Sequence, residues 1–208
     1  MKAFRILAHG GPEALVWGDG PDPVPGPGQV RVAVRACGVN HLDLWVRNGV
    51  PGHRFPLPLI PGSEVAGTVE TPGAGVEDLA PGEAVLVGAG VSCGECVRCM
   101  AGQDWLCPRY GLLGEHRDGG YAELVVVPRR NLFPVPRGLS FVEAAATVVN
   151  GPATNSSVYP SGSARAASPA PIAPPAPVRL STKIVAFIAC PSFCATNLAT
   201  VSVPAPGG

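Results

Sequence analysis

The sequence predicts a mainly β fold that carries a metal-binding loop, and three observations predict it. Glycine (27) and proline (25) make up a quarter of the 208 residues, which suits short strands with many turns and disfavours a helical bundle. Short alternating or apolar runs recur at fairly even spacing between residues 2 and 127. Four of the seven cysteines fall between Cys93 and Cys107. Evenly spaced short strands indicate an all-β barrel or sandwich.

Each element has its own signal. Residues 2–8 read as a first strand and 14–17 as a second. Pro27-Gly28 turns the chain into residues 30–36, Val-Arg-Val-Ala-Val-Arg-Ala, whose alternation marks a half-buried strand. Residues 64–70 form a strand containing Gly67, a position where another backbone approaches closely. Pro81-Gly82-Glu83 leads into a strand over 84–87, and Asp118-Gly119-Gly120 into one over 121–127. One helix is predicted. Ser140-Phe141-Val142-Glu143 fits a capping box, with the Ser hydroxyl accepting from an early amide and the Glu reaching back to the cap amide. Ala144, Ala145 and Ala146 continue it.

Charge and composition narrow the function. Fifteen basic residues balance fifteen acidic ones, which argues against a nucleic-acid binder. The balance is uneven along the chain. Residues 151–208 hold Arg165, Arg179 and Lys183 and no acid, and Ala, Ser and Pro fill 30 of those 58 positions. One folded domain over 1–150 is therefore expected, followed by a low-complexity tail, disordered or aberrant, that cannot build a core of its own. Residues 1–10 lack the apolar core of a signal peptide. The most apolar stretch of the tail, residues 184–203, is broken by Pro191 and makes a poor membrane span. A cytoplasmic location is expected, with neither membrane nor nucleic acid as partner.

The sharpest motif is Cys93-x2-Cys96-x2-Cys99-x7-Cys107. Four thiolates on a short loop can wrap one tetrahedral Zn²⁺, and a four-cysteine site leaves no open position, so such a zinc is structural. Iron–sulfur ligation is a competitor, but bacterial cluster motifs place three residues before the last cysteine where this chain has seven. Free or oxidised thiols are the remaining alternative.

These pieces, in this order, resemble the N-terminal, GroES-like domain of the medium-chain, zinc-type alcohol dehydrogenase and quinone reductase superfamily. The resemblance is carried by the four-cysteine loop, by Gly38-Val39-Asn40-His41-Leu42-Asp43-Leu44-Trp45, by Gly62-Ser63-Glu64-Val65-Ala66-Gly67, by Gly114-Glu115-His116, by Asp118-Gly119-Gly120-Tyr121-Ala122-Glu123 and by Gly138-Leu139-Ser140-Phe141. It implies a partly open barrel with a structural zinc lobe. It also implies where a catalytic zinc would be held: by a Cys at the position of Asn40 and a His at the position of Ser63, with a third ligand beyond residue 150. Asparagine and serine are weak neutral donors, so the resemblance implies one structural zinc, no catalytic zinc and a reductase-like parent. Asn40, Asp43 and Ser63 are then expected to line the substrate cleft, Asn40 donating to a carbonyl oxygen and Asp43 orienting neighbours or relaying a proton. Cys37 is expected to serve packing, Glu64 to hold backbone or an arginine, His41 and His116 to be ordinary loop histidines, and Trp45 and Trp105 to anchor packing.

The resemblance stops near Val149-Asn150. A complete member has a Rossmann domain marked by Gly-x-Gly-x-x-Gly and a ribose-binding acid. Gly26-Pro27-Gly28 and Gly73-Ala74-Gly75 lack the third glycine, and residues 151–208 contain no acid. The tail therefore reads as out-of-frame translation or a truncated remnant. NAD(P) would then be bound only by a full-length parent, and this form would be inactive. The alternative is a stand-alone zinc-stabilised β-barrel module that pairs with a protein partner, or with its own copy, through a face exposed near Phe141.

Overall fold

A computed structural model describes residues 1–148 and the two-residue strand Val185–Ala186. Apart from that strand, the expectations for residues 151–208 lie outside the described residues. In chain order the strands are β1 (Lys2–Ile6), β2 (Leu15–Asp19), β3 (Gln29–Gly38), β4 (Glu64–Pro72), β5 (Ala84–Val87), β6 (Gly90–Val91), β7 (Gly111–Leu112), β8 (Leu124–Pro128), β9 (Leu132–Pro134) and β10 (Val185–Ala186). The helices are α1 (His41–Asn48), the single turn α2 (Val97–Met100) and α3 (Phe141–Thr147).

Among the described residues every pairing between named strands is antiparallel. β3 is the spine of the main sheet, whose order is β10-β3-β4-β5-β9, with β8 also on β3. β4 runs along nearly all of β3, β8 pairs with residues 29–33, and β10 pairs with Cys37 and Gly38. The hairpin β1–β2 and the short pair β6–β7 stand apart from this sheet. The alternation of β3 is real over its first half, where Val30, Val32 and Val34 point into the core. It breaks at a register shift between Val34 and Ala36, after which Ala36, Cys37 and Gly38 are all buried. The reason is that both faces of the strand are covered there: Ala36 meets α3, while Cys37 joins the main core. Gly67 is required as expected, since a Cβ there would fall 2.2 Å from the Ala33 carbonyl oxygen.

The 121–127 strand is corrected to β8. Residues 121–122 depart from β3, while Glu123 O still accepts from Val34 N (2.9 Å), and the segment crosses between two others: Phe4 N donates to Tyr121 O (2.8 Å), Glu123 N to Lys2 O (3.0 Å) and Tyr121 N to Pro61 O (2.9 Å). That crossing links β1 to the main sheet and curls both around one core, which runs from Ala3 and Phe4 through the valines of β3, β4 and β5 to Leu132. A smaller cluster of Ile6, Val46 and Leu59 fastens α1.

The capping box of α3 is present. Ser140 Oγ accepts from Glu143 N (3.3 Å), and Glu143 Oε2 accepts from Ser140 N (2.9 Å). Ser140→Ala is expected to cost about 1 kcal/mol, read as a lower denaturant midpoint with unchanged slope. Ala144 and Ala145 are buried against Ala36 and Ala66, small side chains that let the helix lie close to the sheet, and Phe141 and Val142 pack half-buried beside them, with Leu139 exposed just before the helix. Exposed apolar surface also gathers on the cysteine loop, where Val97 (84%), Met100 (75%) and Trp105 (63%) face solvent. Trp105 and Trp45 are therefore corrected from packing anchors to exposed residues, because the inward positions of their segments belong to Cys107 and Val46.

Candidate functional site

The cysteine loop leaves β6 and returns into β7. α2 places Cys96 and Cys99 one turn apart, and a 3-10 turn at Asp104–Leu106 brings Cys107 back to them. The four Sγ atoms all lie within 4.8 Å of one another. Cys93 and Cys99 Sγ are 3.8 Å apart, and Cys96 and Cys99 Sγ 3.5 Å. A disulfide would be about 2.05 Å. A tetrahedron with metal–sulfur bonds of about 2.3 Å has edges of about 3.8 Å. Cys93 N and Arg109 N donate to Cys107 Sγ at 3.4 and 3.3 Å. The backbone amides of Glu95 and Cys96 hold the Cys93 thiol down to about 6, whereas burial pushes Cys99 up to about 12. A bound dication would favour the thiolate form of its cysteine ligands. The donor set and its geometry fit Zn²⁺.

The second constellation centres on Asp43. It sits in the first turn of α1, a helix absent from the sequence reading. Asn40 caps that helix: its Oδ1 accepts from Leu42 N (3.3 Å), while Asn40 N donates to Asp43 Oδ2 (2.7 Å). Asp43 then reaches away from its own helix. Gly62 N donates to Oδ1 (3.0 Å), and Tyr121 Oη, 78 residues along the chain, donates to Oδ2 (2.9 Å). Burial raises the Asp43 carboxyl to about 6, partly opposed by these hydrogen bonds. Burial also drives the Tyr121 phenol and the Cys37 thiol up, so both stay protonated. Cys37 is a packing residue, fully buried in the main core.

Backbone geometry brings Tyr121 to this position. Gly119 N donates to Ile60 O (2.7 Å), Gly120 N to Gly62 O (2.8 Å) and Asp118 Oδ1 accepts from Ile60 N (2.9 Å). A Cβ on Gly119 would lie 2.1 Å from Gly62 O. Gly62 adopts φ +99°, and its own Cβ would strike the Tyr121 ring at 2.5 Å. Ser63 and Glu64 follow, both buried. Glu64 Oε1 accepts from Asn40 Nδ2 (2.9 Å). Gly38 makes room for that carboxylate, since a Cβ there would fall 2.2 Å from Glu64 Oε2.

The structure thus brings Asn40, Asp43 and Ser63 to one place. It also adds Glu64, the neighbour of Ser63, which bonds Asn40, and Tyr121, which joins through Asp43 from 78 residues away. Asn40 and Ser63 do not fit a catalytic zinc. They offer neutral oxygen donors, and the Asn40 amide already bonds Leu42 at one end and Glu64 at the other.

A profile of the family described as Alcohol dehydrogenase GroES-like domain matches residues 26–137. The chain belongs to this family. The GroES-like domain is 42% identical over 119 residues to an alcohol dehydrogenase of Geobacillus stearothermophilus, covering 57% of this chain and 35% of that one. It is 35% identical over 161 residues to an NAD-dependent alcohol dehydrogenase of Sulfurisphaera tokodaii, covering 74% and 46%. Among solved structures, an NAD-dependent alcohol dehydrogenase superposes with a TM-score of 0.67 at 54% identity, over 70% of this chain and 43% of that one. The chain spans less than half the length of these proteins. The remaining expectations for the GroES-like domain are met unevenly. His41 opens α1 and is exposed, and His116 lies in a loop where its Nδ1 accepts from Leu112 N (3.2 Å). Among the described residues no helix is long and apolar enough to cross a membrane.

Proposed function

We propose that this GroES-like domain is the substrate-facing part of an NAD(P)-dependent oxidoreductase of alcohol dehydrogenase type, with one structural zinc on Cys93, Cys96, Cys99 and Cys107 and no catalytic zinc. The observation that carries the reading is the gathering of four thiols within 4.8 Å inside a domain that the family profile matches. Bound NAD(P) would supply or accept the hydride. The described residues offer no glycine-rich turn opening a helix to cradle it, so its binding belongs to a partner domain of the full-length parent. Of the cleft residues, Asn40 has a second amide hydrogen beyond the one given to Glu64, and that hydrogen suits a substrate carbonyl. Asp43 positions Gly62 and Tyr121 next to Ser63. Reduced thiols in this lobe accord with a cytoplasmic location.

Elemental analysis and cofactor titration test the proposal. One zinc per chain, a colourless protein and no NADH or NADPH binding by the chain alone are expected. Visible iron–sulfur absorption or absence of metal overturns the lobe, and cofactor binding by this chain overturns the need for a partner domain. The exposed Val97, Met100 and Trp105 favour a second reading, a zinc-stabilised module that pairs through its lobe. A stable oligomer in sedimentation that dissociates in Trp105→Ser supports it, and a monomer at all concentrations removes it.

A further inference from the structure

We propose that His53, Glu115 and His116 form a second metal site, a solvent-facing one for a first-row divalent cation of the zinc class. His53 lies in the loop after α1, and Glu115 and His116 lie in the turn after β7. Sequence spacing gives no hint of the cluster, because 62 residues separate its two parts. One ligand atom from each residue lies within 4.8 Å of the other two. His53 Nε2 is 3.4 Å from Glu115 Oε1, and His116 Nδ1 is 3.6 Å from Glu115 Oε2. These separations are long for hydrogen bonds. The two contacts end on different oxygens of the Glu115 carboxylate, and separations of 3.4–3.6 Å leave room among the three groups for an ion with metal–nitrogen and metal–oxygen bonds of about 2.0–2.1 Å.

The ligands stand on fixed supports. The two imidazoles are nearly perpendicular (86°), with centroids 6.0 Å apart, and the His53 ring packs on Phe55 at 4.4 Å. The turn bearing Glu115 is tied to the Gly62 loop, since a Cβ on Gly114 would fall 2.6 Å from Gly62 N. Two imidazoles and one carboxylate suit zinc, cobalt, nickel or copper, whereas magnesium and calcium take oxygen ligands throughout. Partial exposure of His53 (41%) and His116 (44%) leaves a coordination position open to water, unlike the closed four-cysteine lobe. Binding would displace the hydrogen bond from Leu112 N to His116 Nδ1 (3.2 Å), one neutral hydrogen bond against a metal–nitrogen bond. The competing arrangement is a pair of protonated histidines on Glu115 with no ion.

The test uses the untagged full chain with its cysteine lobe first loaded with zinc. Zinc titration followed by histidine ring NMR is expected to show a second equivalent that shifts His53 and His116 and leaves His9 and His41 in place. His53→Ala and His116→Ala should each weaken that equivalent at least tenfold while the first is retained. Cobalt separates the two sites: thiolate-to-metal charge transfer reports the lobe, and the second equivalent should add none. A wild-type chain that takes no second equivalent overturns the proposal. So does a second equivalent that survives in the double variant, or ring shifts confined to His9 and His41.

Discussion

Cys107→Ser is expected to release the zinc proposed for the lobe and to open the loop between β6 and β7, the largest change expected from any single substitution. Cys107 is the buried member of the four and the one that accepts two backbone amides. Zinc contributes on the order of 10 kcal/mol to folding in zinc-finger peptides. The lobe has little else to hold it. Val97, Met100, Trp105 and Leu106 all point outward, and the Arg109–Glu95 pair is an exposed ion pair of small value. Zinc content should fall from one per chain to none. Amide exchange over 93–110 should rise to that of an open loop, while β3 and β4 stay protected. A metal-free variant whose lobe amides remain protected would show that apolar packing, not the ion, orders the loop.

Asp43 carries the second large effect. Asp43→Ala leaves the Tyr121 hydroxyl, Gly62 N and Asn40 N without their acceptor. At about 1–3 kcal/mol for each buried donor left unpaired, a loss of about 3 kcal/mol or more is expected. The pH dependence has an unusual sign. Asp43 is raised from 3.8 to about 6 in the folded protein, so between these values the native state binds a proton that the unfolded chain has released. This site therefore stabilises the fold more below pH 4 than above pH 6, by about 3 kcal/mol, and the difference is lost as pH rises through the window. Asp19, Glu70 and Asp78, held low by Lys2, Arg31 and Arg129, act in the opposite direction at the surface. The unfolding free energy of wild type minus that of Asp43→Asn isolates the buried group, because metal loss in acid is common to both. A difference that is flat across the window, or a carboxyl signal of Asp43 titrating near 4, would contradict the assignment.

Local signals were legible in the sequence, and long-range ones were not. The alternation of 30–36, the Ser140 box, the close approach at Gly67 and the cysteine spacing each depend on neighbours within a few residues, and each reappears in the structure. α1 escaped because only Asp43 and Val46 along it are buried, too few to make an apolar stripe, while its capping pair Asn40 and Asp43 resembled cleft residues instead. The same side chains cap the helix and bond Glu64 and Gly62. Tyr121 and Glu64 could not be assigned from sequence, because their partners lie 78 and 24 residues away. The two tryptophans were misplaced for a related reason: size alone does not tell which side of a short helix faces the core.

The main-chain seam between residues 60–62 and 118–121 has one more consequence. Backbone hydrogen bonds, with the Asp118 and Asp43 carboxylates, set the height and tilt of the ledge on which residue 63 rests. A ledge of that kind keeps its shape when the group it presents is exchanged. A change of side chain at residue 63 is therefore expected to leave the neighbouring main chain where it stands.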